Sequence, residues 1–154
     1  MASKKICFVA SSGGHLEEIS RLKKIEAQGE AFLVTEKSDF EVKNFCDKKY
    51  YVSQINRREI LFLPKFIWLF IRALILLRKE KPDVIVTTGA LIAYPFCMVG
   101  KHMGIKVVYI ESFARVEEAS LTGKLLYKHA DLFIVQWEDM LKIYPDAVLG
   151  GGIF

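Results

Sequence analysis

The sequence predicts an α/β fold, a Rossmann-like parallel sheet with helices on both faces. Two observations indicate it: strand-like apolar segments alternate with helix-like segments along the chain, and no internal repeat, low-complexity tract or linker interrupts them. Successive parallel strands need a crossover, which a helix supplies. A length of 154 residues suits one domain over residues 1–154 with a core of its own.

Each element has a local signal. The apolar run ICFVA starts the chain as a strand, and an amphipathic helix pattern follows it. Pro64 suits the first turn of the longest helix, because that turn leaves the backbone N–H unpaired, and Pro82 follows its end. A short helix and a glycine-rich end close the chain. The predicted strands cover residues 4–10, 31–35, 50–54, 83–89, 106–112 and 131–137, and the predicted helices cover 16–28, 64–80, 91–103 and 120–130.

Composition narrows the class of function. Apolar residues make up 52% of the chain and the mean hydropathy is +0.23, which indicates that some apolar surface contacts a membrane or a partner. The net charge of +4 is a modest basic excess. Cys7, Cys46 and Cys97 are widely spaced, so we expect a reduced, cytosolic chain without a metal site. The amino terminus enters a strand directly, unlike a signal peptide.

A glycine-rich turn joins the first predicted strand to the first helix. Ligands of parallel sheets bind at the carboxyl ends of strands, so Ser12, Gly13 and Gly14 lie where free backbone N–H groups favour an anionic oxygen. His15 follows as a candidate general base or phosphate donor. The turn is not GxGxxG, so we expect no nicotinamide cofactor. We expect no cofactor of another kind either. The alternative is a tight turn without a ligand, in which His15 caps or packs.

Three polar residues lie at the carboxyl end of the fifth predicted strand. Glu111, Ser112 and Arg115 bring a carboxylate, a hydroxyl and a guanidinium to the same edge of the sheet. Such a set can activate a sugar hydroxyl and bind a phosphate. The alternative is an ion pair at the rim between Arg115 and Glu111, Glu117 or Glu118.

Residues 60–81 form the most unusual segment. Residues 60–77 are just long enough to be considered as a membrane span, but Lys65 and Arg72 near the middle argue against it. Lys65, Arg72 and Lys79 recur every seven residues, which places them in one basic stripe on an otherwise apolar helix. We predict a helix that lies in the membrane surface, with Trp68 and the stripe as docking residues. The alternative is a helix packed between sheet and partner. Nucleic acid is not expected, because no aromatic stacking platform is present.

Three segments of the chain resemble a known family. SSGGH, TTGALIAYP and above all YIESFARVEEASLTGKLLYKHADLFIVQW, followed by YP, resemble the PssD-type bacterial polysaccharide-biosynthesis proteins. These are relatives of the membrane-anchor subunit of the split eukaryotic transferase that adds the second N-acetylglucosamine to a dolichol-pyrophosphate-linked sugar. The resemblance covers nearly the whole chain. It implies the N-terminal half of a GT-B glycosyltransferase, similar to the amino lobe of MurG-type enzymes, with a PssE-type chain supplying the donor-binding half.

The resemblance also implies site residues. The glycine–histidine turn would meet the acceptor diphosphate or the reacting sugar. At the second glycine turn, eukaryotic relatives carry Gly-Pro-Gly, whereas this chain has Thr88, Gly89 and Ala90. The positions that match the motifs of the family are Gly13, Gly14, His15, Thr88, Gly89, Glu111, Ser112 and Arg115.

The expected function follows from residues and resemblance together. The chain would be a subunit of a two-chain transferase that moves a hexose from a UDP-sugar to a polyprenyl-diphosphate-linked sugar, in capsular or exopolysaccharide biosynthesis. It would be peripheral at the cytoplasmic face of the cell membrane and inactive without its partner. His15 is the first candidate base and Glu111 the second, while Ile153 and Phe154 behind three glycines are candidates for partner docking. The rival is a non-catalytic membrane anchor or enhancer of a partner transferase.

Overall fold

A computed structural model describes residues 3–39 and 42–154, which form one seven-stranded sheet in which every pairing is parallel. The predicted Rossmann-like sheet is confirmed. Its strands are β1 (Lys5–Ala10), β2 (Glu30–Glu36), β3 (Lys48–Val52), β4 (Val84–Gly89), β5 (Lys106–Ile110), β6 (Leu132–Val135) and β7 (Val148–Leu149). The helices are α1 (Gly14–Ser20), α2 (Lys23–Glu26), α3 (Phe62–Glu80), α4 (Ala93–His102), α5 (Leu121–Leu126) and a 3₁₀ helix (Glu138–Lys142).

The strand order places a crevice at the middle of the sheet. The order is β3-β2-β1-β4-β5-β6-β7, so the chain builds outward from β1 to β3 and then returns beside β1 to build the other half. At such a reversal the loops after the two central strands leave on opposite faces, and ligands bind between them. The central pair also shifts register at its carboxyl end, where Ala10 pairs with Gly89.

Helices cover both faces of the sheet to different extents. One face packs against α3, α4 and α5, which bury Leu69, Phe96 and Leu126 in the larger core. The other face packs against α1 and the segment around Phe45, with Leu16 at the centre of the contact. At the β6–β7 edge, apolar side chains stay exposed, namely those of Leu132, Val148 and Leu149. The expected apolar surface is therefore present on this edge.

Among the sequence-based elements, two predicted helices are wrong in extent and one strand has no predicted counterpart. The helix predicted over 16–28 is two helices, α1 and α2, because the chain leaves the helix after Ser20, whose hydroxyl donates to the carbonyl of Glu17 at 2.6 Å. The helix predicted over 120–130 ends at Leu126. The strand β7 was not expected, because two residues are too few to show a two-residue period.

The longest helix, α3, presents an apolar face to the outside. Its inward face buries Leu69, Ala73, Leu76 and Leu77 against the sheet. Exposed apolar side chains on and just before it are Ile60, Leu61, Leu63, Ile67, Trp68, Ile71 and Ile75. The seven-residue spacing of Lys65, Arg72 and Lys79 sets the basic stripe along one flank of this apolar face. No helix in the described part of the chain is long and apolar enough to cross a membrane.

Candidate active site

The loops after β1, β3, β4 and β5 enclose a cleft at the carboxyl edge of the sheet. The cleft has a volume of about 500 Å³. It brings together three of the predicted site residues, His15, Ser112 and Arg115. The remaining lining residues are Arg57, Ala90, Ala114, Ser120, Leu121 and Thr122. The crevice expected from the strand order is thus the place where the predicted residues meet.

His15 is held by the neighbouring strand. Its Nδ1 lies 2.9 Å from the carbonyl oxygen of Thr88, and the Thr88 hydroxyl donates to the carbonyl of His15 at 2.9 Å. A carbonyl oxygen only accepts, so in the neutral ring Nδ1 carries the proton and Nε2 keeps its lone pair. Gly13, whose φ of +83° is the left-handed region that favours glycine, caps the helix that carries His15. The geometry leaves Nε2 as a proton acceptor.

The second glycine turn lies under the same ring. Gly89 has φ +107°, and a Cβ added there would come within 2.8 Å of the Tyr109 hydroxyl, so the position requires glycine. Ala90 follows with φ +70°, a left-handed conformation that costs a non-glycine residue about 1 kcal/mol. The Thr88 side chain is fully buried. Thr88 and Gly89 therefore position His15 from below, and Ala90 lines the cleft.

Glu111 lies beneath the cleft rather than in it. Its carboxylate is buried and accepts hydrogen bonds from the Ser120 N–H at 3.2 Å, the Ser112 N–H at 3.1 Å and the Tyr144 hydroxyl at 3.0 Å. Burial, and then the charge of Glu111, raises the pKa of Tyr144 well above its ordinary value. A Cβ at Gly123 would come within 2.2 Å of the carboxylate, so that position must stay glycine. This geometry gives Glu111 a structural task and leaves its carboxylate outside the cleft.

Glu18 ties α1 to the segment after β5. Its Oε1 accepts the Ser112 hydroxyl at 2.8 Å and the Phe113 N–H at 3.2 Å, while its Oε2 is buried without a hydrogen-bond partner in the described structure. The Ser112 hydroxyl is therefore already engaged. Arg115 is exposed, and its guanidinium forms no hydrogen bond or ion pair within the described residues. The rim ion pair considered above is absent there, which leaves the Arg115 charge for a ligand.

A further carboxylate lies behind the glycine turn. Glu36 is buried at the end of β2, and the Ser12 N–H lies 3.4 Å from its Oε2. Burial raises the pKa of Glu36, and hydrogen bonds from the backbone of Ser12 and Ile55 oppose that rise. A Cβ on Gly13 or Gly14 would meet no atom within 4 Å, so a ligand has room to approach this backbone. Nowhere in residues 3–39 and 42–154 do three or more histidine, cysteine or acidic side chains group as metal ligands.

The carboxyl-terminal tail folds back onto this edge. The Ile153 N–H donates to Gln136 at 2.8 Å, and the Phe154 ring packs edge-on against Phe113 with centroids 5.2 Å apart. The Arg21 guanidinium lies 5.2 Å from the centroid of the same ring. The tail has no regular structure, as expected, but its own chain holds it. Phe154 remains 58% exposed beside the cleft loops.

Sequence reasoning missed four residues around the cleft, Glu18, Glu36, Arg57 and Ser120. The rule that ligands gather at strand ends does point to Arg57, because the loop after β3 contains it. No local signal marks Glu18, whose partner Ser112 is 94 residues away.

The parallel sheet and its helices have the fold of one lobe of a GT-B protein. The crystal structure of Acinetobacter baumannii MurG superposes with a TM-score of 0.71 at 19% identity, covering 86% of this chain and 41% of that one. The UDP-N-acetylglucosamine 2-epimerase of Rickettsia bellii gives 0.79 at 14% identity, covering 98% and 45%. The chain spans less than half of these solved structures, and at these identities the likeness concerns the fold alone.

Sequence similarity assigns the family. Residues 6–153 match the family described as "Oligosaccharide biosynthesis protein Alg14 like", and the chain belongs to that family. The human UDP-N-acetylglucosamine transferase subunit ALG14 is 30% identical over 181 residues, which cover 98% of this chain and 83% of the human protein. The chain is thus similar to proteins that are named as subunits of a glycosyltransferase.

Proposed function

We propose that this chain is the PssD-type subunit of a two-chain glycosyltransferase. It transfers a hexose from a UDP-sugar to a polyprenyl-diphosphate-linked sugar in capsular or exopolysaccharide biosynthesis. Residues 1–154 form the acceptor-binding and membrane-docking domain, and a PssE-type partner holds most of the donor.

The observation that carries the proposal is the fixed tautomer of His15 in the cleft. In an inverting transfer the acceptor hydroxyl attacks C1 of the donor sugar, the bond from C1 to the UDP oxygen breaks, and a base takes the hydroxyl proton. His15 Nε2 is the proposed base, and the backbone of Ser12, Gly13 and Gly14 with Arg115 binds the acceptor sugar and the phosphate joined to it. Glu111 supports the loop.

Partner docking has independent support. The relatives are named as subunits, and this chain matches one lobe of two-lobed enzymes. Donor and acceptor must meet between the lobes, because proximity supplies much of the rate. The exposed apolar side chains at the β6–β7 edge, together with Ile153 and Phe154, are the proposed contact surface.

Membrane docking relies on α3. An outward apolar face flanked by Lys65, Arg72 and Lys79 is the arrangement of a helix that lies at the level of anionic headgroups. Trp68 is 54% exposed, and indole rings favour the membrane interface. The chain would thereby be peripheral at the cytoplasmic face, beside its lipid-linked acceptor.

A transfer assay tests the proposal. The chain is purified with the product of a neighbouring transferase gene and incubated with a panel of UDP-sugars and a lipid-diphosphate-linked sugar. We expect the complex to transfer one hexose and each chain alone to transfer none. Transfer by the isolated chain would contradict the two-chain proposal. A complex that transfers no hexose from any UDP-sugar of the panel would contradict the proposed transferase activity.

A further inference from the structure

Two further cavities lie beside the cleft at His15, and the row of three cavities is called the trough below. Arg57 lines both the cleft and a neighbouring cavity of about 530 Å³, whose other lining residues include Arg58 and Leu91. Ile55 is shared in turn by that cavity and a third one of about 310 Å³. The three cavities are therefore neighbours, with Arg57 at the first boundary between them and Ile55 at the second. The third is lined by Ser53, Ile55, Leu61, Pro64, Lys65, Trp68 and Leu69.

The chemistry of the trough changes in order along its length. The end at His15 is polar. The middle carries Arg57 and Arg58, which are exposed and form no side-chain hydrogen bond or ion pair with any residue that the structure describes. The one acidic residue among those that line this cavity, Glu59, is already paired with Lys65. The middle of the trough is therefore an uncompensated cationic site.

The far end is apolar and opens onto the outward face of α3. Leu61, Pro64 and Trp68 line it, and Ile60 beside it is 98% exposed. Burying such side chains in water-free surroundings is favourable, so this end suits a hydrocarbon chain. The trough accordingly runs from a polar catalytic end through two cations to an apolar end at the proposed membrane face.

We infer that the trough binds the lipid-linked acceptor along its length, and that Arg57, with Arg58, holds the acceptor's diphosphate. The inference rests on the proposed function. The acceptor sugar lies at His15, the diphosphate at the two arginines, and the first isoprene units against Leu61 and Trp68. Guanidinium groups suit this task because they donate paired hydrogen bonds to phosphate oxygens and stay charged. The charge of the middle section and the apolar end select a diphosphate joined to a hydrocarbon chain.

Calorimetric titration of the purified full chain tests the inference. The probes are N-acetylglucosaminyl farnesyl diphosphate, farnesol and UDP. We expect Arg57→Ala to weaken binding of the farnesyl diphosphate probe by about tenfold or more, and Arg57→Lys to weaken it less, because the charge remains. Binding of farnesol should not change. The matched control is Arg78→Ala, an arginine on α3 outside the trough, which should bind the probe like the wild type.

Several results would overturn the inference. Equal affinity of the Arg57→Ala and Arg78→Ala variants for the probe would do so, as would wild-type protein that does not bind the probe. A dependence on Arg57 for UDP but not for the farnesyl probe would assign the cation to the donor instead. The assay also separates this inference from the proposed function. Binding that needs Arg57 in a complex that transfers no sugar would keep the inference and reject the function, and transfer with an unchanged acceptor KM in Arg57→Ala would do the reverse.

Discussion

His15 and Thr88 hold each other through two hydrogen bonds that cross the central crevice. The ring Nδ1 of His15 meets the Thr88 carbonyl oxygen at 2.9 Å, and the Thr88 hydroxyl meets the His15 carbonyl oxygen at 2.9 Å. The hydrogen bond of the ring fixes the tautomer of His15, and the hydrogen bond of the Thr88 hydroxyl holds the start of α1 against the end of β4. Because His15 follows β1 and Thr88 lies at the carboxyl end of β4, the sheet itself sets the direction of the base.

Glu111→Gln should have a larger effect on the free energy of unfolding than on turnover. The buried carboxylate accepts hydrogen bonds from Ser120, Ser112 and Tyr144, and an amide replaces one acceptor oxygen with a donor. We expect a loss of about 2 kcal/mol in the free energy of unfolding, measured by chemical denaturation. Glu117→Gln, on the exposed segment nearby, is the control and should change little. A fully stable Glu111→Gln variant with lost turnover would restore Glu111 as the base.

Glu80 should make stability depend on acidic pH. Its side chain is 2% exposed, at the sheet edge opposite the cleft. Burial alone would raise its pKa, but hydrogen bonds from Lys48, Lys5 and Tyr50 hold the pKa at about 2, below the ordinary 4.5. The ionised form therefore stabilises the fold above pH 4.5, and this contribution is lost as the pH falls towards 2.

Glu80→Gln should accordingly cost about 3 kcal/mol of unfolding free energy at pH 7. The difference from wild type should shrink between pH 4.5 and pH 2 in denaturant titrations. Glu30→Gln removes the exposed second partner of Lys5 and serves as the control, with a small effect expected. A difference that stays constant across this pH range would show that packing, not charge, gives Glu80 its effect.

Charge reversal on α3 should release the chain from anionic membranes. Lys65 is already paired with a carboxylate, so Arg72 and Lys79 carry the free charge of the stripe. Arg72→Glu with Lys79→Glu should abolish co-sedimentation with vesicles that contain phosphatidylserine, and added salt should weaken wild-type binding. The double control Lys23→Glu with Lys24→Glu, on α2, should bind like wild type. Wild-type binding that salt does not weaken would favour the helix packed against a partner.

Removal of the tail should weaken the complex. Phe154 packs on Phe113, and Ile153 is bonded to Gln136, so residues 150–154 present an ordered apolar surface beside the cleft. Deletion of these five residues should lower the affinity for the partner, measured by size-exclusion chromatography or interferometry. Ile143→Ser, at an exposed apolar position just after the 3₁₀ helix, is the control. A complex of wild-type affinity without the tail would assign docking to the β6–β7 edge alone.

The sequence predicts the residues that local geometry places, such as His15 and Arg115. The alternation of strands and helices gives the parallel sheet, and a parallel sheet places the residue after each strand at one edge. Arg115 reaches the cleft without a partner in the described structure, and Thr88, which orients the His15 ring, itself lies at the end of the neighbouring strand β4. Their positions follow from strand ends alone.

The direction of a side chain depends on distant residues, and there the sequence is insufficient. Glu111 follows a strand as Arg115 does, yet it points into the core because Tyr144 and Ser120 return to meet it. The sequence also does not tell which charged side chains form ion pairs. Lys65 and Arg57 are both basic residues of the same segment, but Lys65 is paired and Arg57 has no partner in the described residues. The cationic middle section of the trough can therefore be recognised only from the structure.

Turnover of the His15→Ala variant in the reconstituted two-chain complex tests the central claim most directly. If this chain supplies the base, kcat should fall by roughly a hundredfold or more, because general base catalysis contributes that much. The affinity for the partner and for vesicles should stay at the wild-type level, and His102→Ala, on the exposed surface of α4, should leave kcat unchanged. Unchanged turnover in the His15→Ala complex would contradict the account, because the chain would then act as a non-catalytic anchor for its partner.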